Sequence, residues 1–122
     1  MNEELKRVIL QIIECSTIDY ERGPLENTLC IYRPKVSLKF ILTEGTGQRP
    51  GFNYELKYND RLVAEAFVYQ SNPPVYSASA VDLVEIFKAV QAKYHAQQRA
   101  KPMTDNQKIA LYGLKESLEN RR

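Results

Sequence analysis

The chain has 122 residues with 43% hydrophobic and 26% charged content, which is ordinary for one folded domain and too short for two full ones. Its net charge of +2 does not indicate a class of binding partner. No apolar run approaches the roughly 20 residues that are needed to cross a bilayer. The start carries two acids in its first four residues and no small-residue cleavage site, so a secretory signal peptide is not expected, and two cysteines are too few for a disulfide scaffold. We therefore expect a cytoplasmic protein with no membrane partner, in which Cys15 and Cys30 are small buried hydrophobes.

The first predicted element is an amphipathic helix over residues 3–15. Its apolar side chains recur at the spacing of one helix face, at Leu5, Val8, Ile9, Ile12 and Ile13. Asn2 precedes this run and is a suitable N-cap. The period is lost over residues 16–27, and a short edge strand is predicted over residues 28–32, before Pro34.

Alternation of apolar and polar residues predicts three antiparallel strands in the middle of the chain. The first two cover residues 35–43 and 52–58, and the third covers residues 61–70. Asn59 and Asp60 form a two-residue turn between the second and third of these strands, since both residue types tolerate positive φ. The Asn-Pro-Pro run at residues 72–74 then ends the sheet.

The strand over residues 61–70 is apolar on both of its faces. With a two-residue turn, Leu56 lies opposite Val63, so Val63, Phe67 and Tyr69 join the aromatic face of the preceding strand. The opposite face then carries a second apolar set, made of Leu62, Ala64, Ala66 and Val68. Because such a strand is usually covered on both sides, we expect the amino-terminal helix or another subunit to cover this second set.

Two helices are predicted after the sheet. A long helix covers about residues 80–98, and a short one covers about residues 105–119 and begins with a Thr104–Gln107 capping box. The short helix has a narrow apolar stripe of Leu111, Leu114 and Leu118. The predicted fold is therefore α+β, with a three- to four-stranded antiparallel sheet and three helices. Residues 1–100 form the predicted domain, and residues 101–122 form a carboxy-terminal helical extension.

The charge is divided unevenly along the chain. Residues 1–30 carry a net charge of −3, whereas residues 31–122 carry +5 (fourteen bases against nine acids). No acid lies between Glu85 and Asp105 in the long helix and the segment after it. This basic excess predicts a non-enzymatic module that binds nucleic acid through its phosphates. The expected contacts are Lys39, Arg49, Lys57, Lys88, Lys93 and Arg99.

A protein partner is the alternative prediction, and a second copy of the chain is one such partner. A strand with two apolar faces and a weak terminal helix with an apolar stripe are both typical of interaction surfaces. The expected interaction residues are Leu62, Ala64, Ala66, Val68, Leu111, Leu114 and Leu118.

An enzymatic alternative comes from the Glu55-Leu56-Lys57 segment. Its Glu-x-Lys spacing on a strand resembles the centre of the PD-(D/E)-x-K nuclease family, in which acids hold Mg²⁺ and a lysine lies near the scissile phosphate. The resemblance implies a metal-dependent nuclease, in which Glu44 and Glu14 are candidates for the further acids of the metal site. The Pro-Asp element of the family is missing, and about one such acid-x-Lys spacing is expected by chance. We therefore predict no catalytic residues, no metal and no cofactor.

Two further resemblances concern nucleic acid. The order helix, three antiparallel strands, helix resembles the layout of double-stranded RNA-binding domains. Those domains have a lysine-rich start to their last helix, whereas residues 77–82 here contain no lysine. The Thr-x-x-Gln segment at residues 104–107 is similar to short helices that end some phage and bacterial recombination proteins.

Overall fold

The computed structural model describes residues 1–45, 47–48, 50–70 and 78–120. The fold is α+β, and its antiparallel sheet has five strands in chain order, rather than the three or four expected. The elements are α1 (Glu3–Glu14), β1 (Asp19–Arg22), β2 (Glu26–Arg33), β3 (Val36–Glu44), β4 (Gly51–Tyr58), β5 (Arg61–Tyr69), α2 (Ala78–Arg99) and α3 (Asp105–Glu119). Five strands also depart from the three-stranded layout of the double-stranded RNA-binding domain. The predicted break at residues 72–74 lies outside the described residues.

The unpredicted strand is β1. Its four side chains are all exposed, so it lacks the apolar alternation by which a strand is recognised. It forms because its backbone pairs with β2, where Tyr20 lies opposite Leu29. The segment over residues 28–32 is therefore an inner strand and not the edge that we expected.

Helices α1 and α2 both pack on one face of the sheet, which we call the covered face. Strands β2, β3 and β4 contribute its largest buried side chains, which are Leu29, Ile31, Leu38, Phe40 and Leu56. Helix α2 packs on them through Leu83, Ile86, Phe87 and Val90. Helix α1 contributes Ile9 and Ile13, whereas Leu5 and Val8 of its predicted stripe remain exposed. The other face of the sheet, which we call the open face, has no described helix packed against it.

A β-bulge in the last hairpin overturns the register expected for β5. Asn59 and Asp60 do form the predicted turn, with φ of 46° and 65°. However, Leu56 lies opposite Ala64 and Lys57 opposite Leu62, so Val63 is an extra residue in β5. A bulge of one residue moves every following side chain to the other face of the sheet.

The bulge gives the predicted interaction residues of β5 different surroundings. Ala64 and Ala66 pack against the core under the helices, and Val68 is only 7% exposed. Leu62 precedes the bulge and is 51% exposed on the open face. The register behind the expected interaction set was therefore wrong, since β5 needs no second subunit to cover its alanines.

Helix α3 has the boundaries and the cap that the sequence predicts. Thr104 accepts a hydrogen bond from the Gln107 backbone N–H at 3.2 Å, and the Gln107 side chain accepts one from the Thr104 backbone N–H at 2.9 Å. Leu111 is the one side chain among residues 101–120 that is not exposed. Among the described helices, none is long and apolar enough to span a membrane.

An ion-pair cluster fixes α1 beside the start of α2. The Lys6 ammonium donates to the Asp82 carboxylate at 2.9 Å and also pairs with Glu85. Hydrogen bonds to Glu85 and Asp82 raise the pKa of Lys6 to about 12. The same ammonium holds the pKa of the Asp82 carboxyl below its usual range. The charged form of Asp82 is therefore favoured in the folded chain.

Replacing Asp82 with Asn should make the free energy of unfolding decrease less steeply as the pH is lowered from 6 to 3. Because the folded chain binds this proton less readily than the unfolded chain, the contribution of Asp82 is present above its ordinary pKa of about 4. It is lost as pH falls through the lowered pKa of the folded chain. Urea unfolding at pH 6, 4 and 3 measures this slope, with Asp60→Asn at an exposed ion pair as the control. Equal slopes for Asp82→Asn and the unmodified chain would contradict the role of this cluster.

Candidate nucleic-acid interface

One exposed stripe runs along α2 on the side away from the sheet. Its members recur at helical spacing, at Val81, Glu85, Lys88, Ala92, His95, Ala96 and Arg99. The stripe is basic from Lys88 onward, and Lys101 continues it just beyond the helix end. Lys88 and Arg99 lie eleven residues apart, which is about 16 Å along the helix axis. We call the exposed Lys88, His95, Arg99 and Lys101 the α2 ridge.

Lys93 lies beside the α2 ridge, on the flank that faces α1. Its ammonium donates to the Glu14 backbone carbonyl at 2.8 Å and so caps the end of α1. The partner is a neutral carbonyl, so Lys93 keeps its net charge next to the ridge. Three of the expected phosphate contacts, Lys88, Lys93 and Arg99, therefore belong to one helix.

The second half of α2 is also attached to the start of β1. The Gln97 side chain accepts from the Ile18 backbone N–H at 2.9 Å and donates to the Ile18 carbonyl at 2.8 Å. These two bonds satisfy a backbone segment at the edge of the sheet. They hold the basic half of α2 against the domain, so the α2 ridge is presented on a rigid element.

Lys39 and Lys57 form a separate group on the open face of the sheet. They are directly opposite each other on β3 and β4. Each has a carboxylate nearby, since Lys39 lies 3.8 Å from Asp60 and Lys57 lies 4.0 Å from Glu55. Helices and sheet separate this pair from the α2 ridge, so the expected phosphate contacts do not converge on one surface. Arg49 lies outside the described residues.

The open face as a whole has an excess of acids. The strand register places five carboxylates on it, from Asp19, Glu21, Glu26, Glu55 and Glu65. Among the described strand residues, the cations on this face are two lysines, Lys39 and Lys57. A net charge of −3 repels phosphates, and exposed ion pairs add little binding energy. This face is therefore a poor phosphate surface compared with α2.

The acids expected around the Glu-x-Lys segment are not brought together. Glu55 and Lys57 lie on the open face, and Glu65 is directly opposite Glu55. Glu44 lies opposite Phe52, on the covered side, and Glu14 ends α1. Among the residues that the structure describes, no group of three or more His, Cys, Asp or Glu side chains could hold a metal ion.

A pocket beside the α2 ridge was not foreseen from the sequence. It lies between α2 and the covered face and has a volume of about 360 Å³. Tyr20 and Asn27 of β1 and β2 form one wall, and Gln91, Tyr94 and His95 of α2 form the other. The one sequence signal was the clustering of His, Tyr and Gln at residues 91–95, but without β1 the opposite wall could not be placed.

Comparisons with protein-family models, with curated proteins and with solved structures find no match for this chain.

Proposed function

We propose that this protein is a non-enzymatic binding module that contacts nucleic-acid phosphates through α2. The observation that carries the proposal is the uninterrupted basic run from Lys88 to Lys101. This run holds four cations, and no acid lies between Glu85 and Asp105. Lys88, Arg99 and Lys101 are exposed, and Lys93 lies on the adjacent flank of the helix.

The α2 ridge has dimensions suited to a phosphate backbone. A stacked strand carries one phosphate per about 3.4 Å of rise, so the 16 Å from Lys88 to Arg99 run past about five phosphates. Lysine and arginine are the side chains that displace the counterions of these phosphates. The hydrogen bonds of Gln97 hold this half of α2 in place, which limits the entropy lost on binding.

A salt titration tests the proposal. With four phosphate contacts on a single strand, log affinity should fall with log salt at a slope of about −3, or about fifty-fold between about 50 and 200 mM salt. Fluorescence anisotropy of a labelled oligonucleotide with the full chain measures this slope. Binding that is independent of salt, or no binding at about 50 mM salt, would overturn the proposal.

The free thiols support a cytoplasmic site of action. Neither Cys15 nor Cys30 forms a disulfide, and Cys15 is exposed at the end of α1, where we had expected a buried thiol. Cys30 is buried as expected, and this burial raises the pKa of its thiol. An exposed free thiol is normal in a reducing compartment and unusual in an oxidising one.

Helix α3 favours a second candidate function, which is association with another copy of the chain. Leu114 and Leu118 of its leucine stripe are 65% and 67% exposed. A helix of 15 residues is marginal when it stands alone, so an unburied leucine stripe points to a protein surface that covers it.

The chain itself offers a groove of matching length for α3. The groove lies between α1 and α2, has a volume of about 900 Å³ and extends along α1 from Glu3 to Glu14. Leu10, Ile13, Ala89 and Ala92 line it with apolar surface, and charged side chains border it. At 1.5 Å per residue, α3 is about 22 Å long and α1 about 18 Å. We propose that the α3 leucines of one copy dock into this groove of a second copy.

Replacing Leu114 with glutamate should weaken this association at least about tenfold, because a charge would enter an apolar groove. Light scattering over a concentration series measures the dimer fraction. Tyr112→Glu is the matched control, since Tyr112 lies on the opposite side of α3 from the leucine stripe. A monomeric unmodified chain, or equal effects of the two substitutions, would contradict the proposed dimer.

A further inference from the structure

The pocket beside the α2 ridge has an apolar floor and a small volume. Leu29 and Phe40 of the sheet and Phe87 of α2 form its buried floor. Its volume of about 360 Å³ is at the lower end of the range for small-molecule sites, which is about 300–1,000 Å³. The pocket therefore suits one compact ligand group.

Aromatic rings surround this pocket. The rings of Tyr20 and Tyr94 are stacked, with centroids 5.7 Å apart and planes 29° from parallel. Phe87 meets Phe40 edge to face at 5.9 Å, and the His95 ring lies 5.8 Å from that of Tyr94. Tyr20 is 43% exposed, so part of its surface is open to a ligand. Aromatic faces of this kind attract flat rings by offset stacking.

Polar groups at the pocket can form hydrogen bonds with the edge of a flat ring. The Tyr20 hydroxyl donates to Asn27 Oδ1 at 2.6 Å, which orients the carboxamide of Asn27 and leaves its N–H groups to donate elsewhere. Gln91 brings a second carboxamide from α2. Carboxamides offer a donor and an acceptor side by side, which is the pattern by which Asn and Gln recognise bases. The ligand is thus a flat ring with both donors and acceptors on its edge.

The position of the pocket links it to the α2 ridge. Gln91 and Tyr94 lie between Lys88 and Arg99 along α2, and His95 belongs to both the pocket wall and the ridge. A strand whose phosphates follow the ridge therefore passes the mouth of the pocket. The bases of a duplex are paired and stacked, so only an unpaired base can turn into a site of this kind.

We propose that this pocket takes one unpaired nucleobase from a single strand whose phosphates lie on the α2 ridge. The inference rests on the proposed nucleic-acid function and adds the class of ligand, a single strand that presents a base. Tyr20 and Tyr94 supply the stacking surface, and Asn27 and Gln91 contact the edge of the base. The phosphate contacts remain those of α2.

The test compares two strands of equal length and charge. The first is labelled oligothymidylate of about 15 nucleotides, and the second is the matching abasic strand, which has phosphates and sugars but no bases. Anisotropy with the full chain should show about tenfold tighter binding of oligothymidylate. Gln91→Ala and Tyr20→Ala should each reduce this advantage to less than about threefold, while binding of the abasic strand is unchanged.

Gln98→Ala is the matched control, because it removes the same side chain from α2 outside the pocket. It should keep the advantage of oligothymidylate, and thermal melting of each variant confirms that the fold is retained. Equal affinity of the unmodified chain for the two strands would overturn the base pocket and leave the phosphate surface standing. Equal losses in Gln91→Ala and Gln98→Ala would overturn it as well. No binding of either strand would instead overturn the proposed function, and the base pocket with it.

Discussion

Replacing Lys88 and Arg99 together with glutamate should weaken the binding of a single strand by about 30-fold or more at about 100 mM salt. Two of the four cations from Lys88 to Lys101 are then lost, and two repulsive charges take their place. The slope of log affinity against log salt should fall from about −3 to about −1.5, since each phosphate contact on a single strand contributes about 0.7. Both side chains are exposed, so the variant should fold as the unmodified chain does.

The matched control is Lys39→Glu with Lys57→Glu. It makes the same change of net charge on the open face, where each lysine already lies near a carboxylate. We expect its affinity to stay within about threefold of the unmodified chain, because charges on the far face are largely screened at this salt concentration. If the two double variants lose affinity equally, then general charge and not the α2 ridge accounts for binding.

Replacing Ala66 with glutamate should destabilise the fold by about 3 kcal/mol, because a carboxylate would be forced against the core under the helices. Ala66 lies opposite Tyr54 on the covered face and packs against that core. For a chain of this size, the expected loss of Tm is about 10 °C or more. Thermal unfolding followed by circular dichroism measures it.

Leu62→Glu is the control in the same strand. Leu62 is 51% exposed and lies opposite Lys57 on the open face, so a carboxylate there meets a cation. Its Tm should change by less than about 3 °C, as is usual for surface substitutions. A stable Ala66→Glu variant, with a Tm as little changed as that of Leu62→Glu, would show that β5 has the register without the bulge, in which Ala66 joins Leu62 on the open face.

Local signals in the sequence predicted the helices and most strands well. Asn2 caps α1, and the Thr104–Gln107 capping box begins α3, as their side-chain types and spacing indicate. The turn at Asn59 and Asp60 has the expected positive φ. Each of these features depends on residues close together in the chain, so the sequence alone was enough.

The two main errors of the fold prediction depend on distant contacts. Strand β1 exists because β2 is available to pair with it, and its own four residues have no apolar alternation. The bulge at Val63 places Ala64 and Ala66 under the helices. Without the bulge, Glu65 would lie on the covered face, at the cost of burying its charge. The expected register placed the Glu65 carboxylate on the apolar face of the sheet, and this was the one sign in the sequence that the register was wrong.

The candidate site also has one part that local sequence predicts and another part that depends on distant contacts. The α2 ridge follows from helical periodicity, so Lys88, Lys93 and Arg99 could be grouped from the sequence. The sequence could not show whether Lys39 and Lys57 share a surface with these residues. The sheet topology is needed to show that they lie on the opposite face, among five acids. The pocket joins residues 20 and 27 to residues 91–95 and needs the complete fold.

Lysine acetylation with and without a bound single strand tests most directly whether α2 contacts the phosphates. Mass spectrometry of the full chain reports the rate of modification at each lysine. We predict that the strand protects Lys88 and Lys101 and leaves the rates at Lys39 and Lys57 unchanged. Protection of Lys39 and Lys57 with free modification of Lys88 and Lys101 would contradict the account.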